Sequence, residues 1–550
     1  MTRFSLALVA LFIGAHVSAA DKPANPANPA NWDQYHGDYR AWRYSALDQI
    51  NTRNVKKLKV AWIHQPGDIT QGMQSTPLAI DGVVYYIGPN LRVFALDGAT
   101  GKELWRHVTE LDEVATKTFF AGYSRGLAIG HGKVYFGTTD GRVIALDQKT
   151  GKLLWATALT DPKKCHGCNF TSPPTLAGEV LILGPTGGDI AQSGKIYAVN
   201  ALSGDKLWQF ETIRNDAASW PGDSGKAGGG GAWMPGQYDP KLDLFFIGTS
   251  NASPDFDGSK RQGDNLYTAT TLAIEPKTGK LRWHHQEVPH DVWDYDAAYE
   301  ALLIVQGGKQ KMVHLNKGGF VTVLDSADGR VENVWRFSEH INWVTSIEPS
   351  TGALVGRNEP EVGKSKLFCP SALGARSWNH GAYSPKTQLW YSNAQEFCNR
   401  VTVAPDNDPA KLAFGQPNFG ISELAFEPPP GAKATARLQA VDPLTGKRAW
   451  SVEYPLPGLG SVLATGGNLV FNGDSRGQVH AYEARSGKEL WSFNTGSGIR
   501  AGIMSYAVKG KQVILVPSGF GSAFPGFASG LYPEFKTLNG GAALLAFMLE

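Results

Sequence analysis

The sequence predicts an all-β fold, an eight-bladed β-propeller of four-stranded antiparallel blades. Two observations carry that prediction: a repeated Ala-Gly-Trp frame, and an apolar alternating segment ahead of each copy. Seven segments place Ala (once Val), Gly and Trp at positions 1, 7 and 11. They run Ala95 to Trp105, Ala145 to Trp155, Ala198 to Trp208, Ala273 to Trp283, Val323 to Trp335 with two extra residues, Ala440 to Trp450, and Ala481 to Trp491. Each reads as a strand such as Arg92-Val93-Phe94-Ala95-Leu96, a turn bearing Thr-Gly or Ser-Gly, and a short strand ending in Trp. Upstream, alternation of the kind seen in Gly132-Lys133-Val134-Tyr135-Phe136-Gly137 supplies another strand. One four-stranded meander cannot bury both its faces, so the copies must stack. An eighth unit is split between the chain ends, with strands at Gln512 to Val516 and Ala543 to Phe547, and a partner at Lys59 to Trp62. Joining them closes the ring and removes its exposed edges. The gap between Trp335 and Trp450 reads as one blade with an insertion. The repeat tryptophans are blade-to-blade packing, not active-site groups.

The ends and the composition set the class. Arg3, the apolar run Phe4 to Val17 and the small residues Ser18, Ala19 and Ala20 read as a signal peptide over residues 1–20, cleaved near Ala19 or Ala20, with a periplasmic destination. Residues 21–31, rich in Pro, Asn and Ala, read as a loose tail, and residues 32–550 as a single domain, because internal repeats override the domain count that length suggests. The apolar run is too short to span a bilayer and nothing later is long enough without charge, so the chain is expected not to be membrane-embedded. With 52 basic and 50 acidic residues interspersed, there is no basic stripe to track phosphates, which argues against nucleic acid as a partner. Four cysteines in an exported chain point to disulfides. Of the three pairings possible, Cys165 with Cys168 and Cys369 with Cys398 needs the least chain rearrangement. Cys165-His166-Gly167-Cys168 fails as a haem c site, since Asn169 stands where His must follow the second Cys. A zinc site built on it would lack a ligand.

Strand direction assigns the chemistry to one end of the ring. In a meander, the loop entering the innermost strand and the loop between the second and third strands lie at the same end. Polar and aromatic residues collect in those loops. Gln74, Arg125, Thr171-Ser172, Trp233, the run His290-Asp291-Val292-Trp293-Asp294-Tyr295-Asp296, and Ser377-Trp378 enter inner strands. Asp189, Asn251 and Lys317 occupy second-to-third loops beside glycines, which permit close backbone approach to a ligand.

At these residues the chain resembles the pyrroloquinoline quinone (PQQ) dependent alcohol and methanol dehydrogenases, and the resemblance runs from Trp32 to the C-terminus. Gly37-Asp38-Tyr39, Arg43-Tyr44-Ser45, Leu47-Asp48-Gln49-Ile50-Asn51, Gly263-Asp264-Asn265-Leu266-Tyr267 and Trp293-Asp294-Tyr295 carry it. It implies a flat tricarboxylate quinone lying on the indole of Trp233. Gln74, Phe119, Phe120 and Trp378 would stand around the quinone, while Arg125, Thr171 and Lys317 reach its carboxylates and carbonyls. It also implies a metal held by Asp189, Asn251 and Asp294, and catalysis by Asp294 as base with Lys317 beside it. The metal would polarise the quinone C5 carbonyl, Asp294 would take the alcohol proton, and hydride would pass to C5. Electrons would then go to a soluble c-type cytochrome.

Asp296, two residues after the expected base, resembles the family's lanthanide-dependent branch. Asp189, Asp294, Asp296 and a cofactor carboxylate together favour a trivalent lanthanide over calcium. Several positions depart from the family pattern. Gln74 replaces Glu, Phe119-Phe120 replaces an adjacent Cys pair, and Asp189 is one methylene shorter than the usual Glu. Leu459 and Phe520 stand for aromatic contacts, and Arg500 adds a cation. With Phe119 and Phe120, Leu459 and Phe520 suggest an apolar mouth suited to a primary alcohol larger than methanol. The alternative to an enzyme is a non-catalytic PQQ-like propeller acting as a periplasmic binding or scaffold protein.

Overall fold

A computed structural model describes residues 28–550 except Phe119, Tyr123 and Asn215. The expected signal peptide, most of the tail and the Phe119 contact therefore lie outside the described residues. The fold is an all-β propeller. Among the described residues, seven sheets have four strands and an eighth has five, four of them again in meander order. The first comprises Leu78–Ile80, Val83–Gly88, Arg92–Asp97 and Glu103–Val108. The last comprises Met504–Val508, Lys511–Ser518 and Ala543–Met548, with Lys59–His64 from the other end of the chain paired antiparallel on its edge. Residues are buried on both faces of the inner strands, whereas Glu103–Val108 and Lys206–Glu211 alternate between half-buried and exposed. The fourth strand is thus the outer one, half in water.

The repeat works as a dock between sheets. Trp105 pairs across its hairpin with Ala95, Trp155 with Ala145, Trp208 with Ala198 and Trp450 with Ala440, each beside a bulge. The indole then lies on the repeat glycine of the next sheet: Trp105 on Gly151, Trp155 on Gly204, Trp208 on Gly279, Trp283 on Gly329, Trp335 on Gly446, and Trp450 on Gly487. Trp62 of the last sheet lies on Gly101 of the first in the same way. A Cβ at any of these seven glycines would meet the ring at 2.4–2.7 Å, and all have φ between +68° and +82°, so only glycine fits both constraints. Most indoles also donate to a backbone carbonyl of that neighbouring turn, as Trp208 Nε1 does to Pro276 O at 2.8 Å. Trp491 instead packs edge-on against Phe547, at 5.2 Å between ring centres.

Two departures from the plain repeat bear on the site. Between Trp335 and Trp450, the sheet Ala382–Ser384, Leu389–Glu396, Thr435–Val441 and Arg448–Tyr454 carries an inserted three-stranded sheet of Ser365–Phe368, Cys398–Val403 and Ile421–Glu427. Cys369 and Cys398 are joined by a disulfide at its base, and Cys165 is joined to Cys168. The N-terminal segment crosses the far ends of the inner strands: Trp32 bridges to Ala79, and Tyr44–Ser45 adds a parallel strand to Leu463–Thr465. Buried Arg43 fixes this segment by donating to the carbonyls of Tyr35, Val462 and Ile503. Among the described residues, no helix is long and apolar enough to cross a membrane.

Candidate active site

The loops at the open end converge on one funnel holding about 1030 Å³ of space, counted out to bulk solvent. Its lining includes Gln74, Phe120, Arg125, Asp189, Trp233, Asp294, Asp296, Lys317 and Trp378, residues from six different sheets or the loops entering them. Gln74, Arg125, Asp189, Trp233, Asp294, Asp296, Lys317 and Trp378 thus share one end of the propeller, because reversal at every strand leaves only two ends for a loop to occupy.

The acidic centre is built by a tight turn. The Asp291 carboxylate accepts from the backbone N–H groups of Trp293 at 3.0 Å and Tyr295 at 2.9 Å, which folds the chain back and leaves Asp294 at φ +64°. A non-glycine residue held in this left-handed region carries about 1–3 kcal/mol of strain, which the surrounding contacts must offset. The turn is pinned from outside: Tyr295 Oη donates to Pro370 O at 2.5 Å, and Trp293 Nε1 donates to Asn358 O at 3.0 Å. Lys317 Nζ stands 2.7 Å from Asp294 Oδ1 and 2.8 Å from Asp296 Oδ2. Asp296 Oδ1 accepts the backbone N–H of Asn251 at 2.8 Å. Asp296, expected as a ligand, thus has both oxygens engaged and stands behind Asn251. Oxygens of Asp189, Asp255 and Asp294 all lie within 4.8 Å of one another. Asp255 was not singled out from the sequence; its spacing four residues after Asn251 was the available signal.

Burial and mutual repulsion govern these groups. Burial pushes the Asp189 carboxyl up to about 6, with Lys317 opposing and Asp296 adding to the rise. Burial likewise holds Asp294 well above the usual carboxylate range; Lys317 opposes it, and Asp189 and Asp296 reinforce it. For Lys317, burial favours the neutral amine, but Asp294, Asp296 and Asp189 outweigh it and hold the ammonium well above its ordinary value. These groups form a cation-poor cluster with one ammonium facing several acids, and Asn251 Oδ1, fully buried, has no hydrogen-bond partner. Such an orphaned acceptor costs about 1–3 kcal/mol unless a ligand meets it. The residues present fit a hard cation, which takes oxygen donors.

Beside the acids lies an aromatic and cationic wall. The Arg125 guanidinium sits 4.8 Å from the Trp233 ring centre and 4.9 Å from that of Trp378. Its Nη1 donates to Thr171 Oγ1. Thr171 itself does not line the funnel, so its place is behind Arg125 as a brace. Arg500 also lines the funnel, 5.1 Å from the Trp378 ring centre and donating from Nη1 to Ser377 Oγ and Asn379 Oδ1 at 3.1 Å each. Indole faces and two guanidinium groups suit a flat polyanion.

The mouth is apolar and includes Phe120, as the sequence suggested, but two of the other expected residues stand elsewhere. Leu459 and Phe520 do not line it; they pack with Phe397, Tyr532 and Phe535 one layer behind. Phe256, Phe419, Leu424, Phe426, Phe524 and Phe527 line it instead. Phe419, Leu424 and Phe426 come from the insertion, and Phe524 and Phe527 from the short helix Ala523–Ala528. Nothing in the sequence alone said which of these segments would fold over the funnel.

The match to known proteins covers nearly the whole chain. The family model described as glucose/ethanol/alcohol dehydrogenase, β-propeller domain, of the PQQ type, matches residues 32–341, and one described as outer membrane protein assembly factor BamB matches residues 434–521. The chain belongs to the PQQ-dependent alcohol dehydrogenase family. It is 36% identical to the quinohemoprotein alcohol dehydrogenase ADH IIB of Pseudomonas putida, over 98% of this chain and 80% of that protein. It is 32% identical to the quinoprotein alcohol dehydrogenase PedH of the same species, over 92% of this chain and 89% of that one. Among solved structures, the quinohemoprotein alcohol dehydrogenase ADHIIG of Pseudomonas putida HK5 superposes with a TM-score of 0.89 at 31% identity, covering 96% of this chain and 83% of that one. A europium-containing methanol dehydrogenase superposes with a TM-score of 0.88 at 28% identity, covering 95% and 99%.

Proposed function

We propose that this protein oxidises a primary alcohol larger than methanol to its aldehyde, using PQQ and one metal ion held in the funnel, and passes the electrons to a soluble c-type cytochrome in the periplasm. One observation carries the reading. A constrained carboxylate, Asp294, is paired with a buried lysine beside an orphaned amide oxygen, next to a wall of two indoles and two arginines. Asp189, Asn251 and Asp294 would hold the metal, and Arg125, Lys317, Trp233, Trp378 and Gln74 the quinone. When bound, PQQ supplies the two-electron acceptor that no side chain can provide.

The chain's own part is to place and deprotonate the alcohol. Asp294 takes the hydroxyl proton at its carboxylate. Burial raises the proton affinity of this carboxyl, the direction a general base needs. Lys317 holds the carboxylate in one orientation and balances its charge. The phenylalanines of the mouth exclude water and favour a substrate with an apolar tail.

The metal is inferred to be a trivalent lanthanide in preference to calcium. Asp189, Asp294 and Asp296 face a single ammonium, and the similarity to a europium-containing methanol dehydrogenase supports the same choice. The eight sheets are read as blades of one closed ring; the pairing of Lys59–His64 with Ala543–Met548 and the dock of Trp62 on Gly101 support this. The two disulfides support export to an oxidising compartment.

The test is reconstitution of the purified chain with PQQ and either lanthanum or calcium, followed by alcohol-dependent reduction of a dye and of a c-type cytochrome. Asp294→Asn is expected to retain quinone and lose turnover. Absence of both turnover and quinone retention with either metal would return the protein to the class of non-catalytic propellers.

A further inference from the structure

The metal-binding reading above leaves a gap at Asp189. This carboxylate is one methylene shorter than the Glu that the family resemblance leads one to expect, so a ligand oxygen reaches less far into the site. The structure brings another group to that place. Asp255 is fully buried, its Oδ1 accepts from Asn251 Nδ2 at 2.8 Å, its Oδ2 meets no N–H or hydroxyl donor, and its carboxyl lies against that of Asp189. A buried carboxylate oxygen with no donor is costly, and proteins normally neutralise it with a paired charge or a metal. The ammonium nearest the cluster, Lys317, is engaged with Asp294 and Asp296.

The geometry suits an ion. Oxygens of Asp189, Asp255 and Asp294 lie within 4.8 Å of one another. A triangle of that side has its centre about 2.8 Å from each corner, and a small contraction reaches the ~2.3–2.6 Å of hard cation–oxygen contacts. Gly188 keeps the approach open, because a Cβ there would fall 1.9 Å from Asn251 Oδ1, the second orphaned oxygen of the site. The Asp255 loop is held from the insertion: Asp255 N–H donates to Asn418 O at 3.1 Å, and Asn418 N–H donates to Asp189 O at 2.7 Å. One inserted segment thus clamps the loops of both acids.

We infer that Asp255 is a direct ligand of the metal in this protein, replacing the reach lost at Asp189. This rests on the proposal that the funnel binds a metal with PQQ. It gives the site a ligand set of Asp189, Asn251, Asp255 and Asp294, with Asp296 behind Asn251.

The experiment titrates the full-length, PQQ-loaded protein with europium by calorimetry. Europium emission decay in light and heavy water then counts the waters left on the bound ion. Asp255→Ala is expected to weaken binding by at least about 10- to 100-fold, the loss usual for removing even an outer partner of a metal site. It should also add about one water to the ion, since water occupies a position that a ligand vacates. Asp255→Asn, nearly isosteric, should weaken europium more than calcium, because the lost charge counts for more against a trivalent ion. Should the wild type bind neither metal, the functional reading and this inference fall together. If the wild type binds while Asp255→Ala and Asp255→Asn leave affinity and water count unchanged, only the role of Asp255 falls. Should Asp255→Ala not fold, Asp255→Asn decides alone by the same two readouts.

Discussion

Acidification should expel the metal by a calculable amount. Burial raises the Asp189 carboxyl to about 6, so below that pH the metal-free protein holds a proton that the ion must displace. The Asp189 contribution to affinity is full above the raised value and falls as pH drops through it. For Asp189 alone, going from about pH 7 to pH 5 weakens binding about tenfold, or about 1.4 kcal/mol. Asp255 and Asp294 are both held well above the ordinary carboxylate range, so further protons are displaced and the dependence is steeper. The folding stability of the metal-free protein has the opposite sign. A carboxyl raised in the folded state favours the fold most below its unfolded value of 3.8, and that contribution is lost as pH rises to about 6. The assay is calorimetric titration of the PQQ-loaded protein with lanthanum in buffers of different ionisation enthalpy, which reports both affinity and protons released. A change of less than about threefold between those two pH values, with no proton release, would refute the argument.

Other expectations follow from single contacts. Gly446→Ala puts a Cβ 2.4 Å from the Trp335 ring at φ +74°, so denaturant unfolding should show a loss of about 2–5 kcal/mol from left-handed strain plus displacement of the indole. Lys317→Met leaves Asp294 and Asp296 buried without their cation; the metal-free protein should lose about 3–5 kcal/mol, and lanthanum should restore part of it in the same unfolding assay. Trp233→Ala removes one of the two indoles beside Arg125, and the purified protein should retain less PQQ, as measured by absorbance after gel filtration, with its unfolding midpoint little changed.

The Ala-Gly-Trp frame was legible because its constraint is local and repeated. A glycine at positive φ under an indole excludes every other residue, so the same three letters recur at fixed spacing wherever one sheet docks on the next. Strand reversal assigns each loop to an end, which is why the sequence alone groups Arg125, Trp233, Asp294 and Lys317. Asp255 escaped that logic. Its importance depends on the Asn251 loop curling back upon itself and on a clamp from Asn418, more than 160 residues away in the chain. Leu459 and Phe520 were misplaced for the same kind of reason: an apolar residue in a loop can face the mouth or the layer behind it, and packing with Tyr532 and Phe535 decides.

The sequence by itself therefore determined the blade unit, the end of the propeller that carries the chemistry, and the family, since each rests on short-range periodicity or on motifs of adjacent residues. Only the tertiary structure decided which oxygens converge, that Asp296 braces Asn251 through its backbone, that Thr171 stands behind Arg125, and which phenylalanines form the mouth. Those outcomes depend on distances between loops from different sheets and an insertion. Such distances are fixed by packing, and no local pattern in the chain encodes them.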